Sequence, residues 1–309
     1  SYGTLLGQYV IAQADQHKAR LRSVIIDGVV RADIDFNRAG GHAASFALRN
    51  VFHSCAQDLK CSRAYPDLEQ TFLTVFDRLN RQPVSLTLTT PVTKQPVVTK
   101  LDGLGFATAL VPLLARPYSG NSANGTSIPK FIHAASQGNF DWVAENLSGD
   151  LESSDGSAKG MYHSVVCVRA QSMRVNPDDA LPLPYPQLRG WGEREGLSVA
   201  KVCSVLEAER KPPFAYRNPE VPTLVFNGAY DPVTPQPYGE AVAAQLKTAY
   251  VYTFPGIGHG SFFPAPGMPA TDCSIRIATE FLANPGQRPD SSCLADVKPR
   301  QRMICEITD

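Results

Sequence analysis

The sequence lacks an excess of charge of either sign. Lys and Arg together number 29, and so do Asp and Glu. No basic field is available for nucleic acid, and no basic run would draw the chain to an anionic membrane surface. Long apolar runs are missing as well. The longest nearly apolar stretch, GFATALVPLLA, contains Pro112 and falls well short of the roughly 20 residues that a spanning helix needs. No membrane span is expected. The 6 histidines offer no pair at a metal-binding spacing, and Cys and His do not cluster in a zinc pattern. No metal and no cofactor are expected. RAGGHAAS has two glycines but lacks the strand and spacing of a phosphate loop, so it reads as a helix start.

Cysteine, by contrast, is plentiful for a cytosolic enzyme, with 7 in the chain. Cys55 and Cys61 bracket CAQDLKC, Cys273 and Cys293 flank a longer segment, and Cys167 and Cys203 lie between them. Three pairs would leave Cys305 over, as a free thiol or a link to another chain. Buried reduced cysteines are the alternative. Disulfides point to an oxidising compartment, hence to a secreted or periplasmic protein. A continuous helix through residues 55–61 would hold the two Cα atoms about 9 Å apart, too far to bridge. A bond there predicts a bend between them.

The hydrophobic pattern outlines the fold. Leu5, Leu6, Tyr9, Val10 and Ala12 recur at helical spacing, and LRSVIIDGVV then reads as a buried strand closed by Asp27-Gly28. From about residue 35 the pattern becomes mostly helical. HAASFALRNVFHSCAQDL reads as a helix, and a second helix after Pro66 puts Leu68, Phe72, Val75, Phe76 and Leu79 on one face. VSLTLTT alternates like a half-buried strand, with VVTKLDG as its hairpin partner, and PKFIHAASQGNFDWVAENL reads as helix. YHSVVCVRA reads as a strand. The clearest unit follows: strand VPTLVFNG, loop AYDPVTPQP, helix YGEAVAAQLK, strand AYVYTFPG, loop IGHGSF and helix SIRIATEFLAN. Such alternation argues an α/β fold with a mostly parallel sheet flanked by helices. The expected domains are 1–34 and 156–309 as core, with 35–155 as an inserted, mainly helical lid.

Three residues form a chemical constellation. Serine is a poor nucleophile until a base takes its proton, and that base needs an acid to hold its tautomer. In open α/β sheets such groups sit on loops at the carboxyl ends of strands. Asp231 follows one strand, His259 follows the next, and Ser1 stands immediately before a helix. The chain order is Ser, Asp, His. Each alone has a plainer reading, since Asp-Pro makes turns and a His between glycines is commonly a loop residue.

SYGT, TLVFNGAYDPVTP, GIGHGSF and the tail CSIRIATEFLANPGQRPDSSC resemble the α/β-hydrolases of the proline iminopeptidase and tripeptidyl aminopeptidase group. The resemblance covers 1–34 and about 157–295 and fades over the insert. It implies Ser1 as nucleophile, Asp231 as orienting acid, His259 as base and the Tyr2 backbone N–H as one oxyanion donor. Such enzymes place several strands and the second oxyanion donor before the nucleophile. The expectation is therefore that an N-terminal chain of the same precursor completes the sheet as a heterodimer partner, and that self-cleavage before Ser1 separates the two. An aminopeptidase must also recognise a free ammonium, for which Asp141 and Glu145 are candidates; a solvated helix face is the plainer reading. The expected activity is acyl-enzyme cleavage of small peptides or amides, with a carboxylesterase or a non-catalytic binding protein on the same fold as the alternatives.

Overall fold

The computed structural model describes residues 1–13, 21–116, 127–149, 151, 158–170, 176–206, 215, 220–262 and 269–298. In chain order the elements are α1 (Tyr2–Gln13), β1 (Val24–Asp27), α2 (Gly40–Gln57), α3 (Leu59–Ala64), α4 (Leu68–Arg81), β2 (Val84–Thr89), β3 (Pro96–Leu101), α5 (Gly103–Ala109), α6 (Val111–Ala115), α7 (Ile128–Ser136) and α8 (Asp141–Ser148). Then come α9 (Lys159–Ala170), α10 (Pro177–Ala180), α11 (Arg189–Cys203), β4 (Thr223–Gly228), α12 (Gln236–Ala243), β5 (Ala249–Phe254) and α13 (Pro269–Ala283). The chain divides into two compact units, Ser1–Ala47 with Tyr162–Lys298, and Leu48–Met161. The divisions fall within α2 and α9.

The first unit is built on a parallel sheet in the order β1-β4-β5. Every residue of the middle strand β4 is buried, which is why TLVFNG reads as an apolar run rather than an alternation. Ile26 and Val225 of the sheet pack with Ile11 of α1 and with Val242 and Leu246. A buried aliphatic side chain of this kind contributes roughly 1.5–3 kcal/mol. α1 turns Thr4, Leu5, Gln8 and Ile11 inward, while Leu6 and Val10 stay exposed.

The second unit holds the antiparallel hairpin β2–β3, in the register Val84↔Leu101 to Thr89↔Pro96. Its core holds a row of aromatic rings among aliphatic side chains. Phe72 stands 5.7 Å from Phe106, and Phe106 stands 6.1 Å from Phe131, both pairs stacked. On α4 the buried residues are Leu68, Phe72, Val75, Phe76 and Leu79, the face that the spacing predicts. The predicted helix over 129–147 is two helices, α7 and α8, because the chain turns through Gly138 at φ +85°, a conformation costly for other residues.

Three disulfides link Cys55–Cys61, Cys167–Cys203 and Cys273–Cys293. The first has a Cα–Cα distance of 5.1 Å. The helical path breaks at Asp58 to allow it, and the Asp58 side chain caps the next helix by accepting from Lys60 N and Cys61 N. Cys305 lies outside the described residues.

One predicted strand is a helix. Residues 162–170, YHSVVCVRA, fall within α9. Val166 and Cys167 are adjacent and both buried, which the side-to-side alternation of a half-buried strand does not provide. A short β-branched run does not fix its own period. The disulfide from Cys167 to Cys203, at the end of α11, ties this segment to a helix. Among the described residues no helix is long and apolar enough to cross a membrane.

Candidate active site

The loops after β4 and β5 meet at the carboxyl end of the sheet. Ala229 N donates to Phe254 O at 3.1 Å and Tyr230 N to Ile257 O at 2.8 Å. The approach demands Gly228, since a Cβ there would lie 1.9 Å from the Gly258 carbonyl oxygen. The two loops thereby bring Asp231 and His259 together, 28 residues apart in sequence, with His259 Nδ1 at 2.8 Å from Asp231 Oδ2. The Asp231 side chain is fully buried, whereas that of His259 is 25% exposed. One partner is shielded from water and the other is open to an incoming group.

Asp231 is saturated with donors. Its Oδ1 accepts from Val233 N and Thr234 N, each at 2.8 Å, and its Oδ2 accepts from Thr234 Oγ1 at 2.6 Å. Burial works to raise this carboxyl, but the hydrogen bond and charge of His259 and the Thr234 bonds outweigh it. They hold Asp231 below the usual carboxylate range. Thr234 Oγ1 also lies 3.1 Å from His259 Nδ1. With the hydroxyl proton committed to Asp231, the Nδ1 proton goes to the carboxylate as well, and Nε2 is left as the proton acceptor. Sequence reasoning missed Thr234, although it stands inside the quoted stretch TLVFNGAYDPVTP.

Ser1 is exposed and sits at the start of α1, where its carbonyl accepts from Thr4 N at 2.8 Å. Its own N donates to the Asp27 carbonyl at 3.0 Å, a bond that a peptide N–H at this position makes equally well. The next residue, Gly28, lies against His259: a Cβ there would come within 3.3 Å of His259 Cε1. Ser1 is thus tied to the strand end beside the imidazole. Tyr2, whose N–H is the expected oxyanion donor, is the first residue of α1, so that N–H is one of those a helix leaves without an intrahelical partner.

The Asp27 carboxylate was also missed. Its Oδ2 accepts from Ser261 N at 2.6 Å and from Phe262 N at 3.1 Å. Burial pushes this carboxyl above the usual range, against the pull of those backbone donors. The signal in the sequence was an acid closing a buried strand, which reads equally well as an ordinary turn residue. Asp141 and Glu145 are both exposed on α8 of the second unit. Among the described residues no group of three or more His, Cys, Asp or Glu side chains could hold a metal ion.

Residues 187–293 match the Abhydrolase_4 family model, described as TAP-like protein. The match includes β4, β5, Asp231, His259 and the Cys273–Cys293 pair. Over this segment the resemblance to the tripeptidyl aminopeptidase-like α/β-hydrolases holds. No curated protein matches the chain.

Proposed function

We propose that this chain carries the machinery of a serine hydrolase that works through an acyl-enzyme, acting on small peptides or amides with a free N-terminus. The observation that carries the reading is the buried, donor-saturated Asp231 holding His259 with Nε2 free, beside the strand end to which Ser1 is tied. In this mechanism Ser1 Oγ attacks the substrate carbonyl and His259 Nε2 takes its proton. The tetrahedral intermediate collapses as His259 returns that proton to the leaving amine. Water, activated by the same imidazole, then hydrolyses the ester. Asp231 stabilises the imidazolium at each stage. The Tyr2 N–H, at the start of α1, faces the developing oxyanion.

A second polypeptide strand alongside β1 belongs to the same reading. β1 is an edge of the three-stranded sheet, and α1 exposes Tyr2, Leu6 and Val10 at successive turns of one side. Among the described residues no strand pairs with the outer side of β1, and an unpaired edge beside an apolar helix stripe is a liability. An added strand would pair with that edge and bring the second oxyanion donor. The three disulfides favour an oxidising compartment for this assembly.

A fluorophosphonate probe tests the proposal. Covalent labelling at Ser1, lost in Ser1→Ala, is the expected result, together with faster turnover of amino-acyl anilides than of acyl nitrophenyl esters. A folded protein that the probe leaves unlabelled defeats the reading. Turnover of esters alone would replace the peptidase with a carboxylesterase.

A further inference from the structure

We infer that Asp27, with Gly28 beside it, is the positioning residue that sets His259 against Ser1; the inference rests on the serine-hydrolase reading. One residue touches both sides of the site. Its backbone carbonyl accepts the Ser1 N–H at 3.0 Å. Its carboxylate, reaching across 234 positions of sequence, accepts the N–H groups of Ser261 and Phe262. These are the residues directly after Gly260, where the His259 turn passes through φ +91°. The distance from the backbone of the nucleophile to the turn of the base is therefore spanned by one amino acid.

The chemistry suits a clamp. Burying a carboxylate is costly unless donors meet it; two backbone N–H groups meet Oδ2, while Oδ1 is buried without a donor among the described residues. Hydrogen bonds from backbone N–H groups to an ionised oxygen are about twice as strong as neutral ones. A turn held this way does not drift as a turn held only by its own backbone would. Gly28 completes the seat. A side chain there would come 3.2 Å from Thr234 Oγ1 and 3.3 Å from His259 Cε1, so the imidazole lies flush against the strand end. Its φ of +65° also suits glycine. Asp27 is not placed to take a proton from substrate; it acts through the position of the imidazole.

The test compares Asp27→Ala and Asp27→Asn with the wild-type protein. Alanine removes the acceptor, and a misplacement of about 1 Å in a catalytic group costs about a hundredfold. The expected result is a kcat and a fluorophosphonate labelling rate at Ser1 lower by about tenfold or more, with KM within about twofold. Asparagine keeps an acceptor oxygen of the same shape and loses only the charge. It should restore the rate to within about three- to tenfold of wild type. An Asp27→Ala protein that labels as fast as wild type overturns the inference while leaving the hydrolase reading in place. If wild-type protein itself does not label, both fall. Should the alanine variant fail to fold, Asp27→Leu, which keeps the volume and removes the acceptor, decides instead: a labelling rate unchanged from wild type overturns the inference.

Discussion

The two units bury different chemistry. In the second, the described core is aliphatic side chains around a row of phenylalanines, and only Thr90 and Ser127 are buried polar side chains. In the first, Asp231, Thr234, Asn227, Ser261, Gln8 and Thr4 are all buried, most of them near the ends of β1, β4 and β5. Burying polar groups costs stability unless each finds a partner. A protein accepts that cost where the groups act on something. The contrast is the one expected if the proposed site lies in the first unit.

The largest expected effect that tests this contrast comes from its most buried charge. Asp231→Asn keeps the shape but removes the charge and turns a donor toward His259. With its remaining oxygen held by Val233 N and Thr234 N, its amide N–H would face His259 Nδ1, so it should lower kcat by about 10³- to 10⁴-fold with little change in KM. A loss under tenfold in steady-state assays would mean that the buried polarity of the first unit is architectural. The next effect belongs to the second unit. Phe106 is fully buried between two rings, and Phe106→Ala should cost about 3–5 kcal/mol. Hydrogen exchange should rise in α4, α5 and α7 while β1, β4 and β5 stay protected. Equal exposure of the sheet would show that the two units do not unfold separately.

The smallest effect separates two carboxylates of one site. Asp231 is held low, so its favourable contribution is full above the ordinary carboxylate pKa, about 4, and is lost as pH falls through its native value. Asp27 is pushed high. Its protonated form is the one folding prefers, so its contribution is present below about pH 4 and is lost as pH rises through its native value. Urea midpoints should therefore show Asp231→Asn destabilised at neutral pH, with the deficit shrinking in acid. Asp27→Asn should gain stability relative to wild type as pH rises. Parallel pH curves for the two variants would contradict the opposed burial of the two acids. A more stable but slower Asp27→Asn protein is the signature expected of a residue kept for positioning.

Much of this was legible along the chain. The α4 face, the β2–β3 hairpin, the bend inside the Cys55–Cys61 loop and the strand–helix–strand run from β4 to β5 follow from local periodicity and chain geometry. So does the placing of Asp231 and His259 just past strand ends, because turn residues after apolar runs announce themselves. α9 did not, because SVVCV is as compatible with one period as with the other. Thr234 and Asp27 were also hidden, since nothing local tells a hydroxyl or a strand-ending acid that its partner lies 25 or 234 positions away.

What the sequence determined by itself is therefore most of the elements, α9 and the α7–α8 break excepted, and the order of the three chemical side chains, since both depend on neighbours within a few residues. What only the tertiary structure decided is how those side chains are held: which proton Thr234 commits, which turn Asp27 pins and where Gly28 makes room. These depend on parallel strands joined through long crossovers, and pairing of that kind brings together residues whose proximity no local pattern records.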